Sequence, residues 1–259
     1  MPNFIQQHKL LSLAGLVLVI VAGLVVFEVL VVLYNGKPVP TPTITRQPVE
    51  LGKGAPLNYL VLGDSTAVAQ GADYQDGIAM ATARHLALNH QVRLVNAGVS
   101  GARINDVGEQ LTQAEVAKPD VVLIAVGAND VTHLTSLTSL KATLNTVIDA
   151  LTAKNCDVKI IVTGAPEMGA VVRFPQPIKA LAGRRTKQVN AVFAQVALQN
   201  SVDFAQVANA TGDSFKRDPS LFASDKFHPN ARGYATWVPV INQTLDKALA
   251  QQPPHCDGE

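Results

Sequence analysis

Val121-Val122-Leu123-Ile124-Ala125-Val126, with Gly127-Ala128-Asn129-Asp130 directly behind it, decides the architecture of this chain. The apolar run is short, mostly β-branched and without polar alternation. That pattern predicts a strand buried on both faces, as in a parallel sheet. The glycine ends the strand, and a polar motif follows at once.

Outward from this run the same grammar repeats. Tyr59-Leu60-Val61-Leu62 predicts a strand that ends at Gly63. Val92 to Val95, Lys159 to Thr163 and Val202 to Val207 predict three more. Between them lie helical patterns: Ile78 to Leu88, Ile104 to Ala117 before Pro119, Leu137 to Ala153 and Lys179 to Gln199. In the third, Leu140, Leu144, Val147, Ile148 and Leu151 share one face. Ala231 to Ala250 predicts a closing helix bent at Pro239. Alternating strands and helices imply right-handed crossovers and a parallel sheet covered on both sides. Sites in such sheets form outside the carboxyl ends of the strands.

Four polar motifs fall where that rule places a site. Gly63-Asp64-Ser65 follows the first strand. Asn96-Ala97-Gly98-Val99-Ser100-Gly101 follows the second, and Gly127-Ala128-Asn129-Asp130 the third. Asp225-Lys226-Phe227-His228-Pro229-Asn230 precedes the last helix. A Gly-Asp-Ser triplet alone is an ordinary turn. In this order and context the four are specific.

On these motifs, from about Leu57 to Leu249, the sequence resembles the SGNH hydrolases, also called the GDSL esterase/lipase family. Ser65, Gly101, Asn129 and His228 stand at the positions that give that family its letters. The resemblance implies a three-layer α/β/α, flavodoxin-like fold with a parallel sheet of about five strands. It also implies an oxyanion hole made by the backbone N–H of Ser65, the backbone N–H of Gly101 and the side-chain amide of Asn129. The chemistry expected of these residue types is acyl-ester cleavage through an acyl-enzyme. Ser65 is the nucleophile, His228 the base that takes its proton, and Asp225 the carboxylate that orients the ring. Gly63-Asp64-Ser65-Thr66-Ala67 lacks the second glycine of the G-x-S-x-G elbow, which separates it from α/β-hydrolases. Asp64 and Asp130 are expected to brace their own turns. His133 and Arg173 are candidates for the substrate cleft, and Thr211 to Ala223 is expected to overhang it.

Leu10 to Leu33 is nearly unbroken apolar sequence. At about 1.5 Å per residue it can cross a hydrocarbon core of about 30 Å. It exceeds a secretory apolar region of about 7–15 residues, and no small-residue cleavage site follows. The expected organisation is a short tail over 1–9, a transmembrane signal anchor over 10–34, a Pro-rich linker over 35–56, the hydrolase domain over 57–250 and a tail over 251–259. The linker carries Pro38, Pro40, Pro42, Pro48 and Pro56, which favour extended, semi-rigid chain lifting the domain off the bilayer. Lys9 on one side against Lys37, Arg46 and Lys53 on the other would retain the domain inside. The resemblance, to a family commonly exported, favours the extracytoplasmic side.

A formal net charge of +1 argues against nucleic-acid binding; the dense basic group Arg184, Arg185 and Lys187 is expected to be a solvated helix face. The chemistry requires no metal or organic cofactor. Cys156 and Cys256 do not make a zinc site, but both are expected at the sheet edge opposite the motifs, where a disulfide would pin the C-terminal tail. Expected substrates are small-molecule, lipid or glycan acyl esters. The alternative is an acyltransferase or deacetylase acting on envelope glycans or lipids with the same residues. A catalytically silent binding module is disfavoured by the intact triad.

Overall fold

The computed structural model describes residues 2–34, 36–44, 47–114 and 116–251. Helix α1 spans Pro2–Tyr34. Strand β1 (Val49–Leu51) follows, then β2 (Ala55–Gly63), α2 (Ile78–Leu86), β3 (His90–Asn96) and α3 (Val107–Gln113). Next come β4 (Val121–Ala125), α4 (Ala128–Thr132), α5 (Leu137–Lys154), β5 (Lys159–Val162) and α6 (Ile178–Gln199). The chain closes with β6 (Asp203–Phe204), α7 (Val207–Arg217) and α8 (Ala231–Ala250).

The sheet runs β1-β3-β2-β4-β5-β6. β1 is antiparallel to β3, and every other neighbouring pair is parallel. The fold is the expected α/β/α arrangement. Period two along β2 explains its layers: Leu60 and Leu62 face one core, Tyr59 and Val61 the other. On β4, Val122 and Ile124 join the first core, and Val121, Leu123 and Ala125 the second. Helices α3, α5 and α6 cover the first face through residues such as Leu111, Leu144 and Phe193. Helices α2, α7 and α8 cover the second through Ile78, Phe215 and Ile241. Both faces of β4 are thus dry, which is why its sequence shows no alternation. Truncating a fully buried residue such as Leu144 to alanine is expected to cost about 2–5 kcal/mol.

Some elements differ from expectation for local reasons. The last strand shrinks to two residues, because Val207 already opens α7. That helix was not legible: its buried face is Val207, Ala208, Thr211, Gly212 and Phe215, too weakly apolar to show a period. The second expected helix begins as a 3₁₀ turn at Ile104–Asp106. α8 continues through Pro239, which lies on its exposed side.

The expected linker is also different. Three of its residues form β1 on the edge of β3. Earlier in the segment, the Lys37 N–H donates to Ser224 O at 3.0 Å, and the Gln70 side chain donates to Val39 O at 3.4 Å. The segment is folded onto the domain rather than standing between domain and α1. Along α1, the stretch Leu11–Glu28 is long and apolar enough to cross a membrane, and none of it is buried against the rest of the chain.

Candidate active site

The turn after β2 is built to hold one hydroxyl still. Gly63 has φ +148°, and a Cβ there would sit 2.0 Å from Ala125 O on the neighbouring strand, so only glycine leaves the sheet at this point. The buried Gln110 side chain bonds both the N–H and the C=O of Gly63, at 2.8 and 2.9 Å. Asp64 N donates to Ala125 O, and Asp64 Oδ1 accepts from both the N–H and the hydroxyl of Thr66 at 2.8 Å. Asp64 thus braces the turn, and Ser65 is presented between these fixed points.

His228 reaches Ser65 from the far end of the chain. Its Nε2 lies 3.0 Å from Ser65 Oγ, and its Nδ1 lies 2.6 Å from Asp225 Oδ2. Asp225 Oδ1 accepts the backbone N–H groups of Phe227 and His228, both at 3.0 Å. With the proton on Nδ1 donated to Asp225, the Nε2 lone pair faces the Ser65 hydroxyl. Burial pushes the Asp225 carboxyl up. The His228 ring and the two N–H donors outweigh it and hold the group below its ordinary value.

Two further loops close in on Ser65. Asn96, at the end of β3, donates to Ala67 O at 2.8 Å and accepts from Gly98 N at 3.0 Å. It ties the loop carrying Gly101 to the turn that carries Ser65. Asn129, in the first turn of α4, uses one amide hydrogen on Ala102 O at 3.0 Å, which leaves its second for the site. Asp130 Oδ2 accepts from Ile104 N at 3.1 Å, so it joins two loops rather than bracing only its own. Among the described residues, neither the Ser65 N–H nor the Gly101 N–H has an intramolecular acceptor. Nothing lies within 4 Å of where a Cβ on Gly101 would sit. These open donors and the Asn129 amide stand on the loops that surround the hydroxyl.

A pocket opens beside Ser65 and His228. Its cavity volume is about 30 Å³, and its walls are largely apolar: Met168, Val171, Phe215, Phe222, Phe227 and Trp237. The segment expected to overhang the cleft supplies part of this wall as α7 and the turn after it. Residues from several separated stretches contribute, and no single stretch of sequence announces them. Glu167 also borders the pocket, but its Oε1 accepts from Gly169 N at 2.8 Å and its Oε2 lies 3.7 Å from Lys216 Nζ.

The other candidates fall elsewhere. His133 is exposed, with Nδ1 2.9 Å from Asn129 O, and Arg173 donates its backbone N–H to Lys226 O at 2.9 Å. Neither lines this pocket. Arg185 of the basic group donates to Thr135 O and so ties α6 to the loop after α4. Among the described residues, no group of three or more His, Cys, Asp or Glu is placed to hold a metal. Cys156 lies just before β5, on the edge opposite Ser65; Cys256 lies outside the described residues.

The GDSL-like lipase/acylhydrolase family matches residues 61–236, from the middle of β2 into α8. The chain belongs to that family. It is a family of ester-hydrolysing enzymes, and its matched span contains every loop described above. A GDSL-like esterase of Mycobacterium tuberculosis is 28% identical over 204 residues, covering 76% of this chain. The chain spans 64% of that relative's length. Among solved structures, a lipase/acylhydrolase from Enterococcus faecalis superposes with TM-score 0.59 at 20% identity, over 77% of this chain and 100% of that one. An acetylxylan esterase from Geobacillus stearothermophilus superposes with TM-score 0.56 at 21% identity, over 80% and 100%. At such identities these structures support the fold.

Proposed function

We propose that this chain is a serine hydrolase that cleaves carboxylic esters through an acyl-enzyme on Ser65. One observation carries the reading: an unbroken hydrogen-bonded line, Asp225–His228–Ser65, ends at the mouth of an apolar pocket. As Ser65 Oγ attacks the ester carbonyl, its proton passes to His228 Nε2, and Asp225 stabilises the cation that forms. The charge that develops on the carbonyl oxygen meets the N–H groups of Ser65 and Gly101 and the Asn129 amide. Collapse breaks the C–O bond, and the alcohol leaves with the proton from His228. Water, deprotonated by the same ring, then releases the acid and restores Ser65. The apolar pocket suits the acyl group, since burying each methylene contributes about 0.8 kcal/mol.

The test is labelling with a fluorophosphonate probe. Wild type is expected to react and Ser65→Ala not to; labelling that survives the substitution refutes the nucleophile assignment. Product analysis with an added acceptor alcohol separates hydrolysis from acyl transfer.

In this reading α1 is an uncleaved membrane anchor and the domain faces the extracytoplasmic side. What supports the anchor is the length and apolarity of a helix whose stretch Leu11–Glu28 is not buried against the other described residues. The Cys156–Cys256 disulfide belongs to the same reading, because such bonds persist in oxidising compartments. Its support is that Lys159 Nζ donates to Gln251 O at 3.0 Å, which brings the end of α8 beside the edge that carries Cys156. Protease shielding of the domain in intact cells, or two free thiols in the purified chain, would count against these assignments.

A further inference from the structure

The segment that leaves α1 runs over the catalytic loops before it enters β1. Gly36 lies two residues after Tyr34, the last residue of α1, so their Cα atoms are at most about 7.6 Å apart. Gly36 has φ +134°, and a Cβ there would sit 2.3 Å from Asp225 O, so the strap presses against the triad loop itself. Lys37 N bonds Ser224 O. Val39 O accepts from Gln70, whose side-chain oxygen in turn accepts from the Ser100 hydroxyl, next to Gly101. Val39, Pro40, Pro42 and Thr43 then border a groove against Gly71, Tyr74 and Asn230. The strap therefore touches the loop of the triad acid and, through Gln70, the loop of the open Gly101 amide.

This removes the spacer between membrane and site. An apolar helix that ends two residues from the triad loop brings the catalytic edge of the sheet to the surface of whatever bilayer holds it. Exposed apolar side chains alone do not distinguish the two edges: Val99, Leu134 and Leu181 stand on the catalytic one, Leu88 and Leu198 on the other. The tether distinguishes them. Leu134 adds to this, because it is 71% exposed and held at φ +53°, a conformation unfavourable for leucine, at the tip of the loop after α4.

We infer that the strap holds the catalytic edge against the bilayer that α1 enters, and that the ester taken by the pocket is a membrane-resident acyl lipid. This rests on the anchor and hydrolase readings above. Such a substrate presents its ester carbonyl at the headgroup boundary, beneath which its chains are apolar. The apolar walls Phe215, Phe222, Phe227 and Trp237 beside Ser65 suit the carbonyl end of a chain drawn from that layer.

The test uses the full chain in phosphatidylcholine vesicles. A fluorophore is placed at Leu134→Cys or, as a control, Leu198→Cys, and quenched by lipid carrying a spin label on its headgroup. Quenching several-fold stronger at position 134, with fatty acid released from the vesicle lipid, supports the inference. A flexible twenty-residue Gly/Ser insert after Tyr34 spans about 25 Å. It is expected to lower lipid turnover about tenfold and to leave p-nitrophenyl acetate turnover unchanged. Equal quenching at both positions, or stronger quenching at 198, overturns the orientation. Hydrolysis of p-nitrophenyl acetate without release of fatty acid overturns the lipid substrate. Failure of the chain to float with the vesicles sinks the anchor reading and this inference with it. Loss of p-nitrophenyl acetate turnover strikes the hydrolase reading alone, and the quenching contrast still decides the orientation.

Discussion

The turn after β2 and the loop before α8 each bury an aspartate beside the same serine, and the two carboxyls are driven in opposite directions. Asp225 is 3% exposed, Asp64 1%. Asp225 receives three hydrogen bonds spread over both oxygens and is held below its ordinary value. Asp64 receives both of its bonds on Oδ1, while Oδ2 is buried without a partner among the described residues. Burial pushes its carboxyl up to about 6, against the Thr66 donors and the His228 ring, with Asp130 adding to the rise. Burial is common to both. The number and placement of donors decides which carboxyl is lowered and which is raised, and only Asp225 reaches the His228 ring directly.

The largest effect expected is at the serine both regions serve. Ser65→Ala should lower kcat by about 10⁴–10⁶ with little change in thermal stability; a variant retaining a tenth of wild-type turnover on p-nitrophenyl esters would break the scheme. Asp225→Asn should cost about 10³–10⁴ in kcat, because the amide no longer favours a proton on Nδ1 of His228. If Asp64→Asn costs as much, the division of labour between the two aspartates is wrong. Asn129→Ala should lower kcat about 10²–10³ with a smaller change in KM, as for a donor used in the transition state.

The smallest effect is one of stability. Asp64 is raised in the folded chain, so between its ordinary value and about 6 the folded state keeps a proton that the unfolded state has lost. Stability therefore falls as pH rises through that window. Asp64→Asn should flatten this slope, gaining up to a few kcal/mol on wild type between about pH 4 and pH 7 in urea unfolding. Asp225 works with the opposite sign: its contribution is present above the unfolded value and is lost as pH falls through the lowered folded one. Parallel slopes for wild type and Asp64→Asn would erase the contrast.

Most of the parallel sheet was legible because β4 is apolar on both faces and its neighbours repeat the pattern. The grouping of Ser65, Asp225 and His228 was legible because each motif sits where a strand ends or a helix begins, and a family resemblance tied them together. The pocket was not legible. Its wall draws Met168 from a turn, Phe215 from a weakly periodic helix and Trp237 from α8, and proximity across such distances leaves no local pattern. Asn96 was visible as part of a motif, but its cross-brace to Ala67 depends on how β2 and β3 pair. The prolines predict extended backbone for the strap, and hence a spacer. Extension says nothing about whether the chain lies on a surface.

The His228–Ser65 bond joins residues 163 positions apart, and the segment bordering Asp225 is the one that leaves α1. The loop before α8 must therefore arrive before the hydroxyl meets its base. Contacts of such sequence separation form late, since their loop-closure entropy is the largest. A nascent chain carries Ser65 long before it carries His228, so in the proposed mechanism the serine is without its base through most of synthesis. In that mechanism competence arrives with the loop before α8, as a consequence of topology.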